Sequence, residues 1–368
     1  MKIAQIAPLT ESIPPKLYGG TERVVSYLTE ELVRQGHDVT LFASGDSITS
    51  AKLVRCTEMA LRLDATVKDP LPYQVILLET VRKQASHFDV LHFHIDLWHF
   101  PLIREFADRT VTTLHGRLDL PDLKPFYTVF SDIPVVSISR HQRRPMPRTV
   151  NWVGNVYNGL PADLLPFVGE PQGSYLAFLG RISPEKRPDH AIEIAVRSKM
   201  PLRIAAKVDK VDQAYWDELI EPMIKRHSNF VEYVGEINEQ QKGEFLGNAT
   251  ALLFPVDWPE PFGLAIIEAM ACGTPVIAFR AGSVPEVIDD GVSGFIVANV
   301  EEAVDAVSRI DTLDRAKVRA AFEDRFTVKH MTERYVSIYR KLCGATMAES
   351  SRWPRAQQRV ALQERAVT

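Results

Sequence analysis

Two glutamates, Glu260 and Glu268, flank a Pro-Phe-Gly-Leu turn within Trp258-Pro259-Glu260-Pro261-Phe262-Gly263-Leu264-Ala265-Ile266-Ile267-Glu268-Ala269-Met270-Ala271-Cys272-Gly273-Thr274-Pro275-Val276-Ile277-Ala278. The pattern predicts a Pro/Gly loop, a short helix beginning near Gly263, and a turn into an apolar strand. The first-turn amides of such a helix have no intrahelical partner, so they can meet phosphate or sugar oxygens. Carboxylates on both sides of a donor-rich helix start suit a ligand that combines hydroxyls with anionic charge. A nucleotide sugar is such a ligand.

Other segments carry residue types that fit the same ligand. Gly180-Arg181-Ile182-Ser183-Pro184-Glu185-Lys186-Arg187 follows an apolar run and offers a diphosphate two cations, Arg181 as a planar fork and Lys186 as a point charge, with Arg187 read as a surface charge. Tyr18-Gly19-Gly20-Thr21-Glu22-Arg23 opens a helix after the first strand, where glycine allows backbone to approach a ligand closely. No Gly-x-Gly-x-x-Gly fingerprint follows that strand, which removes support from a dehydrogenase. His115 ends the run Val111-Thr112-Thr113-Leu114 and points to a cleft. His92, His94 and Asp96 alternate along one strand face; packing and cleft lining are the preferred reading over a metal, and no Asp-x-Asp motif is present.

These residues must be positioned by a scaffold of alternating short apolar runs and amphipathic stretches, the rhythm of an α/β fold in which helices wrap parallel sheets. Strands are expected at Lys2 to Ala7, Asp38 to Ala43, Val90 to His94, Thr110 to Leu114, Val135 to Ile138 and Val153 to Tyr157. A second set is expected at Tyr175 to Leu179, Leu202 to Ala206, Val231 to Val234, Thr250 to Phe254 and Pro275 to Ala278. Val24, Leu28 and Leu32 make one stripe of a helix from Thr21 to Gln35, stopped at Gly36. The Pro- and Gly-bearing segment Leu164 to Ser174 reads as a linker. At 368 residues, two domains are expected. Ligands of open parallel sheets bind beyond the strands' carboxyl ends, which places the site in the cleft between two Rossmann-like halves.

The Glu-x7-Glu segment, followed by Cys-Gly-Thr-Pro-Val-Ile, resembles the donor-site signature of the retaining family 4 glycosyltransferases. Gly19-Gly20, Arg181 and Lys186 fall in the same order as that family's pieces, and the likeness covers nearly the whole chain. It implies the GT-B architecture, with residues 1–165 on the acceptor side, 166–328 holding the nucleotide sugar, a helix at 329–343 crossing back to the first domain, and a polar, frayed tail at 344–368. It assigns Arg181 and Lys186 to the diphosphate, and Glu260 with the amides of Phe262, Gly263 and Leu264 to the sugar hydroxyls. Glu268 goes to the ribose, Val234 and Glu236 to the region of the base, and His115 to the sugar near its anomeric carbon. The glycine loop of Gly19 and Gly20 joins the donor site. Ala205-Ala206-Lys207-Val208 stands where many members carry a Gly-rich turn, so the base is left open, with a lean to UDP-glucose or a related UDP-sugar. Gly282-Ser283-Val284-Pro285-Glu286-Val287-Ile288 resembles the closing segment of the donor domain.

The expected activity is transfer of a sugar to a hydroxyl acceptor, with retention and without metal or cofactor. The alternatives are an epimerase or phosphorylase on the same fold, or a non-catalytic sugar-binding or scaffold protein. A net charge of -4 supplies no pull toward nucleic acid. The basic run Arg140-His141-Gln142-Arg143-Arg144, with Arg148, is a solvated face or a peripheral contact with anionic lipid. Cys56, Cys272 and Cys343 are far apart and form no metal or disulfide framework, which fits a reducing cytoplasm. No run approaches the roughly 18 apolar residues of a membrane span.

Overall fold

The computed structural model describes residues 1–16 and 19–352, with side chains described through Gly344. Tyr18 and residues 353–368 of the polar tail lie outside the described residues.

Two parallel sheets form the frame. The first contains β1 (Lys2–Ile6), β2 (Asp38–Ser44), β3 (Lys52–Thr57), β4 (Val90–Phe93), β5 (Thr110–Leu114), β6 (Val135–Ser137) and β7 (Trp152–Asn155), in the order β3-β2-β1-β4-β5-β6-β7. The second contains β8 (Leu176–Ile182), β9 (Leu202–Val208), β10 (Val231–Gly235), β11 (Ala251–Phe254), β12 (Val276–Phe279) and β13 (Gly294–Val297), in the order β10-β9-β8-β11-β12-β13. Central strands are apolar at nearly every position because both faces are covered, as in β1, where Ile3, Ala4 and Ile6 are all fully buried. The sequence reading did not contain β3 and β13. Lys52–Thr57 is a half-exposed edge strand with no apolar run, and Gly294–Val297 is short and opens on glycine.

The first helix, Gly20–Arg34, buries Val24, Leu28 and Leu32 against the first sheet. The last helix starts at Val328 and continues past Leu342 to Arg352. Its Val328, Met331, Tyr335, Val336, Ile338 and Tyr339 share a core with Ile3, Val24, Leu28 and Val90 of the first sheet's layer. The chain therefore passes between the sheets twice, and the two passages meet where Leu160 bridges Thr327. Gly159 is required at this crossing, since a Cβ there would fall 2.5 Å from the Thr327 carbonyl oxygen. No described helix is long and apolar enough to cross a membrane.

Candidate functional site

The carboxyl ends of the central strands open into one cavity of about 580 Å³, lined from both sheets' loops. Gly19, Gly20, His115, Arg181, Lys186, Glu236, Glu260, Phe262, Gly263, Leu264 and Glu268 all line it. Val234 does not; it packs against the hydrophobic core of the second half.

The central element is the helix Leu264–Ala271, capped by Gly263 in the left-handed region at φ 85°. Glycine reaches that conformation without the Cβ penalty, so the chain can turn sharply from the Glu260 loop into the helix. Ser283 holds the loop from behind: its amide donates to the Glu260 carbonyl at 3.0 Å and its hydroxyl to the Phe262 carbonyl at 2.8 Å. Gly282, at φ 53°, lets this strut approach, since a Cβ there would lie 2.3 Å from the Glu260 backbone nitrogen and oxygen. Ser283 and Gly282 belong to the segment that resembles the closing segment of the donor domain, and their role as a strut is not legible in the sequence.

The carboxylates of the motif are buried, with Glu260 8% and Glu268 4% exposed. Burial of a charge demands a partner, and each has one. Lys186 forms an ion pair with Glu260, whose Oε2 also accepts from Trp258 Nε1 at 3.0 Å. Lys186 Nζ lies 5.2 Å from the Trp258 ring centroid, a cation–π contact that fixes it further. Glu268 accepts from Lys242 Nζ at 2.5 Å. Lys242 was missed because one lysine on a polar helix carries no motif. It sits on the helix Glu239–Gly247, which begins with a capping box between Asn238 and Gln241. Lys242 also lies 3.7 Å from Glu239, which pairs with Arg23 of the first helix. A chain of alternating charge thus runs from the first half to the motif.

Arg181 lies among three carboxylates, 3.3 Å from Glu185, 3.8 Å from Asp209 and 3.5 Å from Asp212. Lys207, next to last in β9, lies opposite Arg181 in the sheet and pairs with Asp209 at 2.7 Å. Arg187, read as a surface charge, pairs instead with Asp189 at 2.8 Å and Asp257 at 3.0 Å. On the opposite wall, Arg62 pairs with Glu11, and burial pushes the carboxyls of Glu11 and Glu22 up from their ordinary range.

His115 lines the cavity wall, and burial lowers its imidazole to about 4, so it is neutral near pH 7. His92 and His94 alternate as expected, and all their ring nitrogens meet protein groups: Tyr339, Thr113, His115 and Gln5. Asp96 takes no part in these contacts, because β4 ends at Phe93 and Asp96 lies beyond it, exposed. Among the described residues, no group of three or more His, Cys, Asp or Glu side chains is placed to hold a metal ion.

The basic run divides. Arg143 is built into the fold, donating to Ser137 Oγ at 2.6 Å and lying over the Trp152 ring. Arg140, Arg144 and Arg148 are exposed. The amides of Arg140 and His141 donate to Glu286 of the second half at 2.8 and 2.6 Å, and the Tyr157 hydroxyl adds a third bond at 3.0 Å.

Comparison with known proteins agrees with this geometry. Residues 18–155 match the family described as Glycosyltransferase Family 4, and residues 168–324 the family described as Glycosyl transferases group 1. The chain is 35% identical to a D-inositol 3-phosphate glycosyltransferase of Frankia alni, over 81% of this chain and 85% of that one. It is 30% identical to an alpha-maltose-1-phosphate synthase of Mycolicibacterium smegmatis, over 92% and 99%. Its fold is similar to that of Anabaena HepE, solved in complex with UDP-glucose, with a TM-score of 0.68 and 19% identity over 95% of this chain and all of that one. With two parallel Rossmann-like sheets facing one cavity and both sequence patterns in order, the chain belongs to the family 4 glycosyltransferases and has their GT-B fold.

Proposed function

We propose that the protein transfers a sugar, with retention and without a bound metal, from a nucleotide-diphosphate sugar to a hydroxyl of a glycan, glycolipid or small molecule. The observation that carries this reading is the pair of buried carboxylates, Glu260 and Glu268, each held by a lysine, on either side of a helix N-terminus that opens on the interlobe cavity. UDP-glucose is the first donor to test, because the fold neighbour HepE was solved with it.

In this reading Arg181, Lys186 and the helix-end amides hold the diphosphate, and their positive charge offsets what accumulates on the leaving phosphate oxygen. Lys186 and Glu260 are already paired, so sugar hydroxyls and diphosphate share one prearranged unit. Glu268 accepts from the ribose hydroxyls, and Lys242 is its ion-pair partner in a buried place. Neither glutamate acts as a glycosidase acid or base. That mechanism places two carboxyls about 5 to 9.5 Å apart across one glycosidic bond, whereas here they grip different parts of one donor. The acceptor oxygen attacks the anomeric carbon from the face the diphosphate leaves. The carbon–phosphate oxygen bond breaks, and the departing oxygen takes the acceptor's proton. Closure of the lobes excludes water and favours transfer over hydrolysis. Exposed Arg140, Arg144 and Arg148 form the surface at which anionic lipid headgroups would be met.

The test is calorimetric binding and slow hydrolysis across UDP-, GDP-, ADP- and TDP-sugars, with and without chelator. Selective binding that survives the chelator and is lost in Glu268→Ala supports the assignment. Binding of no member, or binding that needs a metal, overturns it.

A further inference from the structure

The buried polar groups of the first sheet connect the cavity to the final helix. His115 Nε2 lies 2.9 Å from His94 Nδ1, and His94 Nε2 lies 2.7 Å from Gln5 Oε1. The Gln5 amide nitrogen reaches the Tyr339 hydroxyl at 3.2 Å, and that hydroxyl lies 2.6 Å from His92 Nδ1. His92 Nε2 meets Thr113 Oγ1 at 2.8 Å, and Thr113 meets the Tyr335 hydroxyl at 2.9 Å. Gln5, His92, Thr113, Tyr335 and Tyr339 are at most 1% exposed.

Each contact in such a chain needs one donor and one acceptor, and a neutral imidazole supplies one of each. The direction of one link therefore sets all the others. With Gln5 Oε1 accepting from His94 Nε2–H, His94 Nδ1 must accept from His115 Nε2–H. On the other arm, Gln5 Nε2–H donates to Tyr339, Tyr339 to His92 Nδ1, and His92 Nε2–H to Thr113. Turning the Gln5 amide over reverses every link and forces all three imidazoles into the Nδ1–H form. Histidine intrinsically prefers Nε2–H, and three rings moving together multiply that preference. The first direction is the stable one.

We propose that Gln5, His94, His92 and Tyr339 are positioning residues that lock His115 in its Nε2–H form, leaving Nδ1 as a lone pair for a hydroxyl of the bound donor sugar. Nε2 is turned inward to His94, so Nδ1 is the ring nitrogen left to the cavity that His115 lines. The lock is a property of the unliganded protein, and only the group that meets the lone pair rests on the nucleotide-sugar reading. The final helix thereby takes part in donor recognition through Tyr339, although neither Tyr335 nor Tyr339 lines the cavity.

The test uses the full chain labelled with 15N-histidine, observed by long-range proton–nitrogen NMR at neutral pH, with the His115 signal identified by its loss in His115→Gln. A protonated Nε2 and an unprotonated Nδ1 are expected at His115. A protonated Nδ1, or an average of the two forms, overturns the lock. In Tyr339→Phe, and separately in Gln5→Met, fewer rings are coupled and the Nδ1–H share of His115 should rise above that of the wild type. UDP-glucose should bind about 3- to 10-fold more weakly, the loss of one hydrogen bond, while UDP, which lacks the glucose, binds as before. Equal weakening of both ligands, or of neither, overturns the link to the sugar. If wild-type protein binds neither UDP nor UDP-glucose, the donor assignment fails while the tautomer measurement still decides the lock.

Discussion

The two walls of the cavity are built in opposite ways. On the second wall, charge is matched by charge among loops that follow parallel strands: Arg181 with Glu185 four residues on, and Lys186 with Glu260 from the loop of another strand. On the first wall, His115 is held by neutral groups from distant parts of the chain, with Gln5 and Tyr339 separated by 334 positions and His92 and Tyr339 by 247. A diphosphate calls for fixed charge, which short loops at strand ends can supply. A sugar hydroxyl calls for a directed lone pair, and direction in a buried site comes from a network with every donor and acceptor matched. The second wall should therefore break when a charge is removed, and the first when a proton is added.

The largest effect is expected from Lys186→Met. It removes a diphosphate cation and leaves Glu260 buried without its ion pair, so UDP release with any productive acceptor should fall about 10²- to 10³-fold in kcat/KM. A loss below threefold would remove Lys186 from the transition state. Glu268→Ala comes next. It leaves Lys242 with only the more distant Glu239, and losing one member of a buried pair costs about 3 kcal/mol, read as a lower urea midpoint. Adding Lys242→Met should recover most of that stability and none of the donor affinity. Recovery of both would make the pair structural only.

The first wall is probed by acid. Burial lowers His92, His94, His99 and His115, the last to about 4. The unfolded chain takes up these protons below about pH 6.5, before the folded protein does. Their stability is thus fully present above pH 6.5 and is lost as pH falls toward 4, at about 1.4 kcal/mol per pH unit for each ring. Glu11 and Glu22, raised by burial, act in the opposite sense. Comparison with His94→Gln isolates one ring: between pH 6.5 and 5 the slope of stability should be shallower in the variant by about that amount, measured by urea unfolding. Equal slopes would mean that His94 titrates alike in both states.

What could be read from sequence follows the same division. Glu260, Gly263 and Glu268 lie in one contiguous stretch whose local chemistry fixes loop, cap and helix, so the turn and helix were legible, while Lys242 and the Ser283 strut that surround them were not. Arg181 and Lys186 were legible as cations after a strand, but the three carboxylates around Arg181 were not, because Asp209 and Asp212 arrive from the end of a different strand. Lys242 looks like any lysine on a polar helix, and only tertiary packing brings it to Glu268. Gln5 did leave a signal, a polar amide inside the apolar strand Lys2–Ile6, though its partners cannot be inferred without the final helix. The alternation of His92 and His94 predicted a shared face, while the groups meeting that face came from Tyr335 and Tyr339 at the far end of the chain.

A smaller effect is expected where the two halves touch away from the cavity. Glu286→Ala removes the acceptor for two amides and for Tyr157, so it should cost about 1 to 3 kcal/mol. Glu286→Gln keeps one acceptor oxygen and should cost less. Because Glu286 lies outside the cavity lining, UDP-glucose affinity should change less than twofold in either variant. A larger change would mean that this contact sets the spacing of the walls.

The smallest effect on the fold belongs to the exposed arginines. Arg143 donates to Ser137 and lies over Trp152, so its replacement tests packing and says nothing about lipid. Arg144 and Arg148 are exposed, and Arg144→Gln with Arg148→Gln should change folding stability by no more than about 0.5 kcal/mol. Near an anionic bilayer each cation contributes about 1 kcal/mol, so the same double variant should lower partitioning onto phosphatidylserine vesicles about tenfold or more at low salt. The difference should vanish at 0.5 M salt, where charges are screened within about 4 Å. Equal partitioning of variant and wild type at low salt would assign this surface to the solvent, and the search for an acceptor would then turn from lipid to water-soluble hydroxyl compounds.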